Sequence, residues 1–148
     1  MTKKIFTQIA QIGIVVDDLD AYIERYKEYG IEPWTEMFID SDSTNSMSVH
    51  DQEIDFSFKL GICEALGVQI ELIQPLDAYS DYALFLKNHR PGIHHLYLAT
   101  DNFAETRGFI QSRIGEKTVV ATTSDAFDVL YLDLTKELGF VAEIVDHK

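Results

Sequence analysis

Residues 91–100 read PGIHHLYLAT, with two adjacent histidines on a run of apolar residues that follows a proline-glycine stop. Side chains alternate across a strand, so Ile93, His95, Tyr97 and Ala99 share one face and His94, Leu96, Leu98 and Thr100 the other. A shift of 84 residues lays IAQIGIVV, at 9–16, over this strand and brings Gln11 onto His95, Asp17 onto Asp101 and Leu19 onto Phe103. The chain therefore carries an internal repeat, and the repeat sets the fold.

Each copy has the same grammar. IAQIGIVV is a short Ile- and Val-rich strand, and DDLDAYIERYKEYG spaces Leu19, Tyr22, Ile23 and Tyr26 as a helix behind Asp17 or Asp18 as cap. PWTEMFID, EIDFSFKL and GVQIELIQP then read as three strands parted by polar turns such as SDSTNS. DAYSDYALFLKNHR forms a connecting helix ended by Pro91 and Gly92. After the histidine strand come a helix in DNFAETRGFIQSRIG, capped by Asp101 or Asn102, and the strands KTVVATTS, FDVLYLDL and GFVAEIVD. The expected fold class is α+β, with two tandem βαβββ modules forming a curved mixed-sheet cradle. One domain is expected over 1–148: module 1 at 1–76, the connecting helix at 77–91 and module 2 at 92–148.

Composition narrows the function. The 148 residues include 46% hydrophobic ones, enough for a single substantial core. Twelve Lys and Arg against 25 Asp and Glu leave a net charge of −13, which repels nucleic acid and anionic membrane surfaces. Cys63 stands alone, so neither an internal disulfide nor a sulfur-based zinc site is available, and a cytoplasmic setting is expected. MTKKIFTQIAQIGIVV lacks the continuous apolar core and cleavage site of a signal peptide and reads as the lead into the first strand.

The repeat also selects candidate site residues. In each module the first strand places a polar residue, Gln11 or His95, at its third position, and the last strand places a carboxylate between apolar neighbours, Glu71 in QIELI and Glu143 in VAEIV. Carboxylates so flanked are rarely buried unless paired or metal-bound. A core histidine held by hydrogen bonds and outward-facing glutamates are the plain alternatives. Symmetry favours the four groups converging about a pseudo-twofold axis.

This pattern resembles the vicinal oxygen chelate superfamily, which includes glyoxalase I, methylmalonyl-CoA epimerase, fosfomycin-resistance enzymes and extradiol dioxygenases. The likeness spans essentially the whole chain, and the stretch from GVQIELIQPL through FLKNHRPGIHH looks most like the epimerase and glyoxalase-like branch. The resemblance implies one divalent metal ion held by Gln11, Glu71, His95 and Glu143. Gln at the first position matches some glyoxalase I enzymes, whereas the epimerases usually have His there.

Two glutamates with neutral O and N donors suit a hard or borderline ion: Zn, Ni, Co, Mn, Fe or Mg. Such an ion stabilises the charge that develops when a proton leaves a carbon next to a carbonyl. Glu143 and Glu71 are the candidate catalytic groups, with Glu143 favoured as base by resemblance to glyoxalase I. The expected activity is a lyase or isomerase reaction on a small thioester or oxoaldehyde adduct. The alternative is a metal-free binding protein of the bleomycin-resistance type.

An anionic thioester would need basic contacts, for which Lys59, Lys87 and Arg90 are the nearest candidates by sequence. The arginines that contact glutathione in glyoxalase I have no counterpart in MTKKIFTQ. No clear second base matches the epimerase's third-strand glutamate; only Glu53 and Asp55 lie nearby. Phe56 and Phe58, with the other aromatics, read first as core; because they share a strand face, lining the cradle is the alternative. His50, His89 and His147 read as surface residues, and DSDSTNSMSVHDQ as a mobile segment. A small-molecule substrate and a homodimer complete the expected partners.

Overall fold

The three longer helices of this chain begin where a short polar side chain can accept from an otherwise unpaired amide. In the computed structural model, which describes residues 4–42, 46–115 and 118–148, Asp18 caps α1 (Leu19–Glu28) by accepting from the Ala21 N–H. Ser80 caps α2 (Asp81–Asn88) through Ala83, and Asn102 caps α3 (Phe103–Ile114) through Glu105. A single turn, α4 (Thr135–Leu138), stops at Gly139, whose φ of 92° requires a residue without a side chain.

The strands are β1 (Gln8–Val15), β2 (Thr35–Asp40), β3 (Ser46–Val49), β4 (Gln52–Glu53), β5 (Ser57–Cys63), β6 (Gln69–Pro75), β7 (Gly92–Ala99), β8 (Thr118–Thr123), β9 (Phe127–Leu134) and β10 (Phe140–His147). They form one mixed sheet in the order β2-β5-β6-β1-β7-β10-β9-β8-β3-β4. β1 runs parallel to β6 and β7 parallel to β10, while β1 and β7 meet antiparallel. The order β2-β5-β6-β1 is thus mirrored by β8-β9-β10-β7 about the β1–β7 seam, as the repeat requires.

Alternation sorts the side chains. Ile70 and Leu72 of β6 pack with Leu19 and Ile23 under α1, and Ala142 and Ile144 of β10 pack with Ile110 under α3. The residues between them, Glu71 and Glu143, are therefore turned to the opposite, concave face. There Met47, Phe56, Phe58, Leu60, Tyr82 and Tyr131 make a third cluster.

Three local readings change. The β5 strand starts at Ser57, and Glu53 belongs to β4 instead. Residues 46–52, read as part of a mobile segment, fall in the β3–β4 hairpin; residues 43–45 of that segment lie outside the described residues. From module 1 this hairpin crosses to pair with β8 of module 2, burying Met47 and Val49. Its apolar pair Met47 and Val49 has strand spacing, which is the signal the polar residues around it obscure. Finally, Gly13 is opposite His95 and Ile14 opposite Ile93, leaving His94 as an extra residue in β7. This irregularity breaks simple alternation: Ile93 is exposed, and His94 and His95 are both buried.

Candidate active site

Strand pairing assembles the site from neighbouring rows on the concave face. Glu71 of β6, Gly13 of β1 and His95 of β7 lie side by side, and the adjacent row runs Gln69, Gln11, Tyr97, Glu143 and Tyr131 across β6, β1, β7, β10 and β9. His95 is fully buried, with Nε2 3.2 Å from Glu143 Oε1 and 3.7 Å from Glu71 Oε1. Room for its imidazole exists because residue 13 is glycine: a Cβ there would overlap the ring. Gln11 lines the same cavity as the two glutamates, but its amide donates to the side-chain carbonyl of Gln69. The structure thus gathers Glu71, His95 and Glu143 tightly, with Gln11 beside them.

A polar chain runs behind His95. His94 Nε2 is 2.6 Å from Asp81 Oδ2 at the start of α2, and His94 Nδ1 is 2.9 Å from His95 Nδ1. Burial lowers the pKa of both rings, His95 to about 4, so each carries one proton at neutral pH. A carboxylate only accepts, so the His94 proton sits on Nε2 and its Nδ1 must accept from His95 Nδ1–H. The His95 Nε2 lone pair is then left facing the glutamates. Tyr131 closes this side, its hydroxyl 3.5 Å from His95 Nε2 and 2.7 Å from the Tyr82 hydroxyl.

Burial also raises both carboxyls. Glu143 moves to about 8, and Glu71 to about 7 against the lowering effect of His95, so the two titrate as a coupled pair near neutrality. Although Glu143 Oε1 is close to His95, it has no aligned hydrogen-bond partner and is an orphaned buried oxygen. An orphan carboxylate oxygen, an imidazole nitrogen whose lone pair meets only a long contact from the Tyr131 hydroxyl, and a second carboxylate form a donor set that suits a divalent cation. Among the described residues, no group of three or more His, Cys, Asp or Glu is already arranged to hold a metal ion.

The glutamates form the floor of a cavity of about 350 Å³ whose walls come from both modules and from Met47 on the bridging hairpin. Phe56 and Phe58 belong to the buried cluster, as read, and also line the cavity. Lys59, Lys87 and Arg90 do not: Lys59 alternates with the lining residues Phe58 and Leu60, and the other two are exposed at the end of α2. Glu53 and Asp55 are exposed and outside the lining. His147 reaches the rim, 3.5 Å from the Tyr97 hydroxyl, while His50 and His89 border a second cavity of about 630 Å³ behind His94 and His95.

Sequence reasoning passed over Gly13 and Asp81, whereas His94, read as a hydrogen-bonded core histidine, is buried and bonded to both Asp81 and His95. An isolated glycine within a strand marks a close approach, so Gly13 was findable. Asp81, at a helix start, had no comparable signal.

Paired βαβββ modules with acidic last strands turned toward one cleft define a class of protein. The model of the Glyoxalase/Bleomycin resistance protein/Dioxygenase superfamily matches residues 10–113, and the chain belongs to that superfamily. Among solved structures, methylmalonyl-CoA epimerase from Mycobacterium tuberculosis is similar over 100% of this chain and 93% of its own, with TM-score 0.68 and 23% identity. A Streptomyces coelicolor methylmalonyl-CoA epimerase variant in complex with 2-nitronate-propionyl-CoA covers 95% of this chain and 94% of its own at TM-score 0.67 and 20% identity. A hypothetical protein from Bacillus halodurans C-125 gives the same coverages, TM-score 0.68 and 19% identity. At these identities the likeness establishes the fold. No curated protein matches the chain by sequence.

Proposed function

We propose that this chain is a divalent-metal-dependent isomerase or lyase that moves a proton at a carbon next to a carbonyl. The observation that carries the reading is the convergence of Glu71 and Glu143 on the His95 Nε2 lone pair, with Glu143 Oε1 lacking any hydrogen bond. Glu71, His95 and Glu143 would hold the ion, and Gln11 would join them by releasing Gln69. A bound divalent ion supplies a Lewis acid that lowers the cost of negative charge on the substrate oxygen.

The protein's own residues supply the rest. Glu143 ends at the cavity floor, where it takes the proton from the carbon as the C–H electron pair moves into the carbonyl, and later returns that proton to carbon. A base works best when its pKa lies near the working pH; burial raises the Glu143 carboxyl in the metal-free cavity, and Glu143 would act as base once loosened from the ion. Glu71 balances charge on the opposite side. Tyr131 and Tyr82, whose hydroxyls burial keeps protonated, shield the centre from water and orient His95.

The test is metal content by elemental mass spectrometry on untagged protein, paired with solvent deuterium uptake into carbonyl substrates. About one ion per chain, lost in Glu71→Ala and His95→Ala, with exchange abolished in Glu143→Gln, is the expected result. Absence of metal after reconstitution, with ligand binding intact, overturns the enzyme reading in favour of the metal-free binder.

A further inference from the structure

The cavity's electrostatics bear on the ligand. Above the acidic floor the wall is apolar, built from Met47, Phe56, Phe58, Ile62, Phe127 and Val129. Among the described residues no Lys or Arg lines it, and His147, at the exposed rim, is the one basic side chain of the lining. The floor carries Glu71 and Glu143, and the chain as a whole carries −13. A carboxylate or phosphate drawn into this space would lose its hydration without gaining a counter-charge from any described Lys or Arg, a large cost for a buried ion. It would also be repelled by the field of the surrounding protein.

We infer that the cavity selects an uncharged ketone or aldehyde with an apolar, aromatic-sized body over acyl-CoA thioesters, glutathione adducts and free carboxylic acids. This rests on the metal-centred reading in one respect. A divalent ion would cancel the two carboxylates, so the occupied floor offers no net charge to attract a cation or an anion. The ligand's carbonyl then faces the floor, and its body meets the wall contributed by both modules and the β3–β4 hairpin. At about 350 Å³ the space lies at the lower end of small-molecule sites, which run from roughly 300 to 1,000 Å³. Selectivity comes from burying apolar surface without stranding a charge.

Three near-isosteric naphthalenes that differ in charge test the inference: neutral 2-acetylnaphthalene, anionic 2-naphthoate and cationic 2-naphthylmethylammonium. Binding is measured by calorimetry on the full chain, with and without bound metal, beside acetyl-CoA. The neutral ketone is expected to bind at least tenfold more tightly than each of the others. Phe127→Lys, a rim substitution that adds a cation beside the ligand body, is expected to move the preference at least tenfold toward 2-naphthoate while circular dichroism stays unchanged. The inference is overturned if 2-naphthoate or acetyl-CoA binds as well as the ketone, or if none binds below millimolar concentration. Preference for the ammonium overturns it too and marks an acidic, metal-free cavity. Failure of the metal reading alone is recognised separately, as preference for the ketone over 2-naphthoate and acetyl-CoA persisting in protein that takes up no metal, since discrimination against anions does not depend on the ion.

Discussion

Gly13 of β1 lies directly beneath the imidazole of His95 on β7, and the space a Cβ would need is already filled by that ring. Neither residue has its observed place without the other. Gly13→Ala is expected to push His95 out of line with Glu143 at a cost of about 1–3 kcal/mol, as overpacked cores show. Chemical denaturation gives the cost, and metal titration gives the functional loss. A variant with unchanged stability and unchanged affinity would mean that the ring has another resting place.

The Asp81–His94–His95 chain orients the ring and presents Nε2 to the glutamates. Replacing an outer hydrogen-bonding partner of a metal-binding histidine typically costs 10–100-fold in affinity. Asp81→Ala is expected to weaken zinc binding by about that factor while leaving the fold intact. Imidazole nitrogen NMR of the metal-free wild type is expected to show the proton of His95 on Nδ1, with that preference reduced in Asp81→Ala. A proton on Nε2 in the wild type would reverse the assignment.

Stability of the metal-free protein follows from the shifted groups, and the signs differ between them. His94 and His95 are lowered from 6.5, so the unfolded chain binds more protons below that value and they make stability rise with pH up to about pH 6.5. Glu71 and Glu143 are raised from 4.5 to about 7 and about 8, so the folded chain binds more protons and their contribution is lost as pH rises through those values. Between about pH 6.5 and 8 only the carboxyls act, and stability falls. Thermal melts in a chelator should record this fall, Glu143→Gln should reduce it, and added zinc should restore stability at pH 8 more than at pH 6. A flat profile in that interval would show that the carboxyls are hydrated rather than buried.

The β3–β4 hairpin ties the modules together across the cavity through Met47, which packs in the concave cluster and lines the ligand space. Met47→Ala is expected to cost about 2–5 kcal/mol, the range for truncating a buried Met. It should also weaken binding of 2-acetylnaphthalene more than Val120→Ala, a change in the same cluster outside the lining. Equal effects of the two on binding would show that Met47 acts through stability alone.

Much of this architecture was legible because it rests on local periodicities. The 84-residue repeat, the apolar alternation of β6 and β10, and the caps near Asp18 and Asn102 are statements about neighbours in sequence. They determined two βαβββ modules and set Glu71 and Glu143 on the sheet face opposite their apolar neighbours, since successive side chains on a strand alternate. Only the tertiary structure decided what meets His95. The extra residue at His94 undoes strict alternation, Asp81 arrives from a separate helix, and Gly13 provides room from the paired strand. The hairpin's passage to β8 was likewise settled by long-range pairing. Periodicity specifies which face a side chain takes, whereas the distances between strands, helix starts and ring nitrogens depend on contacts that no local pattern encodes.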